Sequence, residues 1–276
     1  MGLVDFILNL AALLLWLNWR AVRLSAATQP SVLSLASALK RAEPRRPSRW
    51  IYFSALVLLL TLRSFFYWQV GPSVNWTPAV QLGVISLHFR SDFLSRMFLF
   101  SAFGFAVVLG IFYLWLLLLV LVNRGVSDSD PVQKIVRLQL GRVAHWPIAA
   151  QLLLPVVAVA AVWLVCYRPF VSLGLISPAA SAAQLCRQAF VLGIESLLSW
   201  NYLIAGLLIA YTLNNYVYLG NSPVWNFVEV TGRNLLRPLR RVPLGIGKAD
   251  LAPAVGIALV WAIARFGTNW IQRLYH

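Results

Sequence analysis

Residues 221–253 read NSPVWNFVEVTGRNLLRPLRRVPLGIGKADLAP and lie between two long apolar segments, Phe190–Leu219 and Leu251–Phe266. The stretch opens with Ser222-Pro223, a side-chain acceptor followed by proline, the pair that starts helices at the N-cap and first helical position. Val224, Phe227, Val228, Thr231, Leu235 and Leu239 recur at helical spacing and predict one apolar face. Arg233, Arg237 and Arg240 fall on the other side. An arginine-edged amphipathic helix between two spans is expected to lie flat in the headgroup layer. Pro238 and Pro243 end it, Gly245 and Gly247 let the chain turn back, and Asp250 is placed to cap the next span, whose first turn carries Pro253.

The rest of the chain agrees with a membrane setting. Of 276 residues, 60% are hydrophobic and 11% charged, and mean hydropathy is +0.76. Soluble domains are less apolar and more than twice as charged. The net charge of +15 would suit nucleic acid, but it is confined to short loops between apolar runs, which excludes that partner. Six stretches are long and apolar enough to span: Leu3–Trp19, Trp50–Val70, Met97–Val122, Ile148–Cys166, Phe190–Leu219 and Leu251–Phe266. The first is followed directly by Arg20 and Arg23, so it is expected to be a retained span and not a removed signal peptide.

The loops alternate in charge. The first carries Arg20, Arg23, Lys40, Arg41, Arg45, Arg46 and Arg49; the third Arg124, Lys134, Arg137 and Arg142; the fifth Arg233, Arg237, Arg240, Arg241 and Lys248. The second has only Arg90 and Arg96, and the fourth only Arg168 and Arg187. The positive-inside rule then puts the odd loops in the cytoplasm and both termini outside, in a bacterial inner membrane. The two outer loops, Gly71–Phe93 and Val171–Gln188, are expected to hold amphipathic segments resting on the outer surface. Trp50, Trp76, Trp225 and Trp270 suit an aromatic belt.

The three basic loops resemble one another. Pro30-Ser31-Val32 leads to Lys40-Arg41 and Arg45-Arg46-Pro47; Asp130-Pro131-Val132 to Arg137, Arg142 and Pro147; Ser222-Pro223-Val224 to Arg237-Pro238, Arg240-Arg241 and Pro243. The reading is an all-α polytopic membrane protein. One integral domain over residues 1–276 repeats a span–surface helix–span hairpin at about 1–70, 97–168 and 190–270. The third copy also resembles the YggT family of small bacterial and plastid membrane proteins. The matching residues are Asn221-Ser222-Pro223-Val224, Leu235-Leu236-Arg237-Pro238, Arg240-Arg241, Gly247 and Asp250-Leu251-Ala252-Pro253. The resemblance implies a multi-span protein without enzymatic activity, associated with membrane-complex or haem-protein assembly, division or nucleoid organisation, or ion and osmotic homeostasis. Family members more often show two copies, so the third hairpin is a departure.

Candidate sites are few. Arg45, Arg46, Arg233, Arg237, Arg240 and Arg241 are candidates for contact with anionic lipid headgroups or an acidic partner, against the plainer reading of topogenic charge. Arg63 lies about 10 Å and Glu195 about 8 Å from the outer ends of their spans, so the two are expected to meet as an intramembrane ion pair or to mark an ion path. No histidine lies mid-span, so no metal, haem or other cofactor is expected. Cys166 and Cys186 fall on the outer side, either as a disulfide or as two small buried side chains. Asp128 and Asp130 read as helix caps, and no catalytic grouping is visible. The function expected is a scaffold, assembly factor or accessory subunit of a membrane complex, with a small-ion or osmolyte channel or transporter as the alternative. The broken span expected of many transporters is not evident in the sequence.

Overall fold

The computed structural model describes residues 2–28, 48–126, 130–217, 220, 222–239, 245–246 and 249–275. Among them it is helical, apart from two short strand pairs. In chain order come α1 (Gly2–Thr28), α2 (Arg49–Val70), β1 (Ala79–Leu82), β2 (Ile85–His88), α3 (Leu94–Val122), α4 (Pro131–Leu140) and α5 (Ile148–Ser172). Then follow α6 (Ala182–Leu198), α7 (Trp200–Val217), α8 (Pro223–Leu235), β3 (Gly245–Ile246), β4 (Ala249–Asp250) and α9 (Ala252–Tyr275). Six helical stretches are long and apolar enough to cross a membrane, with α6 and α7 together forming the fifth. The chain is a multi-pass membrane protein, and the six expected spans are the six present.

The chain folds as two compact units, Met1–Val80 with His88–Leu109, and Gln81–Leu87 with Gly110–His276. In the first, the start of α1 meets the end of α2 through Asp5 and Arg63, while Trp19 meets Phe53. The two helices therefore run antiparallel. Ala12, Leu56 and Phe105 form the centre of this unit. An aromatic cluster closes one end: Tyr67 lies 5.0 Å from Trp76, and Phe100 lies 5.5 Å from Phe89. Edge-on contacts of this kind add to simple burial.

In the second unit α5 packs on α6, α7 and α6 pack on α9, and α8 lies against α7. Close approach depends on two glycines. A Cβ at Gly193 would stand 2.6 Å from the Val156 carbonyl oxygen, and one at Gly232 would stand 2.6 Å from the Tyr211 ring. Membrane helices associate through such small-residue contacts because lipid offers them no hydrophobic drive.

Four local features differ from the sequence reading. The fifth span is broken at Ser199, which lacks an α-helical bond and closes on Ser196 and Leu197 instead. The outer loop Gly71–Phe93, read from the sequence only as amphipathic segments, holds a 3-10 turn, Pro72–Val74, and the β1–β2 hairpin. Its alternation is two-fold, with Ile85, Leu87 and Phe89 buried and Ser86 and His88 exposed. Half of the other outer loop is helix: α5 continues through Pro169 to Ser172, and Ser181 caps α6 by accepting from Gln184 N–H at 3.2 Å. Cys166 and Cys186 are free thiols, the first half-buried and the second exposed, so they form neither a disulfide nor a buried pair.

The glycine contacts generate a test. Gly193→Ala and Gly232→Ala are each expected to lower stability by about 1–3 kcal/mol through overpacking. Gly206→Ala, where the added methyl meets nothing within 4 Å, should be neutral or stabilising. Thermal unfolding of the three variants in one detergent checks the ranking.

Candidate functional site

Polar groups inside the helices gather at three places. The first is built on α1 and α2. Asp5 and Asn9 share one face of α1, and Arg63 and Tyr67 share one face of α2, each pair four residues apart. Arg63 is 3% exposed. Its guanidinium donates to Asp5 Oδ1 at 2.7 Å and to Asn9 Oδ1 at 2.7 Å. Tyr67 O–H donates to the same Asp5 oxygen. The guanidinium carbon lies 5.4 Å from the Tyr67 ring centroid and 5.8 Å from that of Phe100, within cation–π range. Arg63 is therefore paired, but the carboxylate it meets is Asp5's and not Glu195's. Depth along the membrane suited both acids, and only helix rotation and packing decide between them.

Glu195 has a different role. It sits on α6, and its Oε2 accepts the Val84 N–H at 3.1 Å. Val84 follows Gly83, which has φ +60° at the tip of the β1–β2 hairpin, and a Cβ at Gly83 would collide with the Glu195 carboxyl group. The acid thus holds a hairpin tip that only glycine lets come so close.

The third place is the end of α3. Asn123 is fully buried. Its Nδ2 donates to Thr231 Oγ1 at 2.8 Å, and its Oδ1 accepts from Asn234 Nδ2 at 2.9 Å. Its carbonyl accepts from buried Gln133 Nε2 at 3.3 Å. Arg137 donates to the Val126 carbonyl at 3.0 Å, a cation at the negative end of α3. The residue just past α3 therefore ties α4 and α8 together. Asp130 caps α4 through the amides of Val132 and Gln133, and Ser222 caps α8 through that of Trp225. Asp128 lies outside the described residues. The apolar face of α8 packs on protein: Phe227 joins Leu116, Val120 and Val136, while Val228 joins Leu208, Tyr211 and Leu236.

The break at Ser199 is held from α3. Trp115 Nε1–H donates to the Ser199 carbonyl at 3.1 Å, and Trp200 Nε1–H donates to the Leu114 carbonyl at 3.0 Å. This exchange pins α3 to the junction of α6 and α7 through two indole N–H groups.

Among the arginines proposed for lipid or partner contact, Arg233 and Arg237 are exposed. Arg233 pairs with Glu229 at 2.5 Å, a surface pair worth little by itself. Arg45, Arg46, Arg240 and Arg241 lie outside the described residues. Sequence reasoning missed Asp5, Asn9 and Asn123. The signal for the first two was available: an acid and an amide four residues apart in an otherwise apolar span.

The charge cluster predicts non-additivity. Asp5→Asn and Arg63→Gln each leave one buried charge alone, which costs on the order of 3–5 kcal/mol. The double variant should recover part of the loss, and strictly additive melting temperatures would show that the pair does not couple. Asn123→Ala should cost about 1–3 kcal/mol, because it takes a partner from the buried Thr231 hydroxyl and from the half-buried Asn234 amide; an unchanged melting temperature would contradict the role given to Asn123. No family model, curated protein or solved structure matches the chain, so these assignments rest on its own geometry.

Proposed function

We propose that the chain is a non-catalytic membrane scaffold, an assembly factor or accessory subunit of a larger membrane complex. It sits in a bacterial inner membrane with both termini outside. The observation that carries this reading is the α4–α8 pair. Asn123 fixes the two helices, and their apolar faces cover spans. Lys134, Ile135, Val224 and Arg233 on these helices, and Arg142, Trp146 and Arg237 just past their ends, are all exposed. A rigid platform that mixes basic and apolar groups at a membrane surface suits anionic headgroups together with a protein partner. The repeated start, a capped helix with proline in its first turn, is shared by α4 and α8. That likeness supports the hairpin-repeat reading, and the residues resembling the YggT family point to the same class.

A small-ion channel or transporter is the second reading. The break at Ser199 and the in-span carboxylate of Glu195 favour it, since transporters use interrupted helices and ionisable residues at their sites.

The direct test is purification in mild detergent with mass spectrometry of co-purifying membrane proteins, using photo-crosslinkers at Ile135 and Val224. Crosslinks to a defined partner set are expected. A variant with Lys134, Arg142, Arg233 and Arg237 changed to Gln should lose that set while its melting temperature stays within a few degrees, because exposed charges contribute little to folding. A chain that crosslinks only to lipid and is unaffected by the change would contradict the proposal.

A further inference from the structure

A pocket of about 180 Å³ lies where the last turn of α7 meets the first turns of α8, lined by Tyr211, Asn214, Asn215, Gly220, Trp225, Asn226 and Glu229. We infer that it binds a primary ammonium group, carried either by an aminophospholipid headgroup or by a small free amine. The inference is independent of the scaffold reading.

The charge of the lining decides the sign of the ligand. In a chain of net charge +15, the only acidic or basic side chain among the described lining residues is an acid, Glu229. The pocket also sits at the C-terminal end of α7, where the final carbonyls of a helix carry partial negative charge and favour cations. The opposing start of α8 offers little to an anion. Pro223 has no N–H, Ser222 Oγ takes the Trp225 amide at 3.4 Å, and the Ser222 carbonyl takes that of Asn226 at 3.0 Å.

The shape decides the class of cation. Exposed Asn215 and Asn226 bring amide oxygens beside the Glu229 carboxylate, and a primary ammonium has three donors to offer them. Trp225 brings an aromatic ring, which attracts an organic cation. The volume exceeds what one bare metal ion fills. Asn215 and Asn226 are exposed, so a ligand can reach the pocket from outside. Arg233 takes Glu229 Oε1 at 2.5 Å. It thereby orients the carboxylate and stands ready for a phosphate, should the ammonium belong to a phospholipid.

The test uses the full chain purified in mild detergent. Four probes are added in turn: phosphatidylethanolamine, phosphatidylglycerol, free ethanolamine and potassium chloride. Native mass spectrometry reads lipid retention and thermal unfolding reads the soluble probes. Retention of phosphatidylethanolamine over phosphatidylglycerol, weakened about tenfold by Glu229→Gln, is expected for loss of a charged hydrogen bond. A thermal shift by free ethanolamine that Glu229→Gln removes supports the inference equally. Sensitivity to Arg233→Gln then separates the sources, since only the lipid brings a phosphate. Should Glu229→Gln fail to fold, Asn226→Leu decides in its place. Equal retention of both lipids with no shift by ethanolamine would overturn the inference. So would binding unchanged in the variant, or a shift by potassium chloride equal to that by ethanolamine.

Discussion

Hydrocarbon cannot solvate a guanidinium, so an arginine placed inside an apolar span has to be answered by its own chain. Arg63 is answered by three side chains from two helices. Asp5 gives charge, Asn9 gives an amide oxygen, and Tyr67 completes the set by donating to the same carboxylate. The first hairpin depends on this arrangement, because α1 carries few other reasons to stay on α2. Its opposite end offers Trp19 on Phe53, and its middle offers Ala12 under Leu56. Those contacts are apolar, and lipid tails would replace them at little loss. The ion pair is what makes the pairing specific.

The same constraint shapes the second unit with neutral groups. Asn123 is buried at the end of a helix whose last carbonyls need donors. Gln133 and Arg137 come from α4, and Thr231 and Asn234 meet its side chain from α8. Two short helices, α4 and α8, are thereby fixed to one span. At the α6–α7 junction the Trp115 indole donates to the Ser199 carbonyl, and the Trp200 indole donates back to α3. In both places a polar group on one element is answered from a neighbouring one, and the match sets a packing relation.

The sequence made the six spans legible because hydropathy depends on composition alone, and the bilayer thickness fixes the length. It made Ser222-Pro223 and Asp130-Pro131 legible as helix starts because capping is local. Arg63's partner was only half legible: Asp5 and Asn9 stand out as an acid and an amide four residues apart in an apolar span, but choosing Asp5 over Glu195 needs the packing. The break at Ser199 was hidden because no proline or glycine marks it; Trp115 and Trp200 act from tertiary contacts. The β1–β2 hairpin left a faint trace in the alternation of Ile85, Leu87 and Phe89, outweighed by the general apolarity of the loop. Of the apolar stripe read on α8, Phe227, Val228 and Thr231 are buried and Val224 is exposed, and the pattern is the same for a helix that faces lipid and one that faces protein.

If the polar groups within the spans serve packing and not passage, the purified chain should be electrically silent. Ion flux through liposomes reconstituted with the wild-type chain tests that most directly. Flux no greater than that of empty liposomes is predicted. A steady flux that Glu195→Gln or Arg63→Gln abolishes, with the folded fraction unchanged, would contradict the account and make the transport reading the better one.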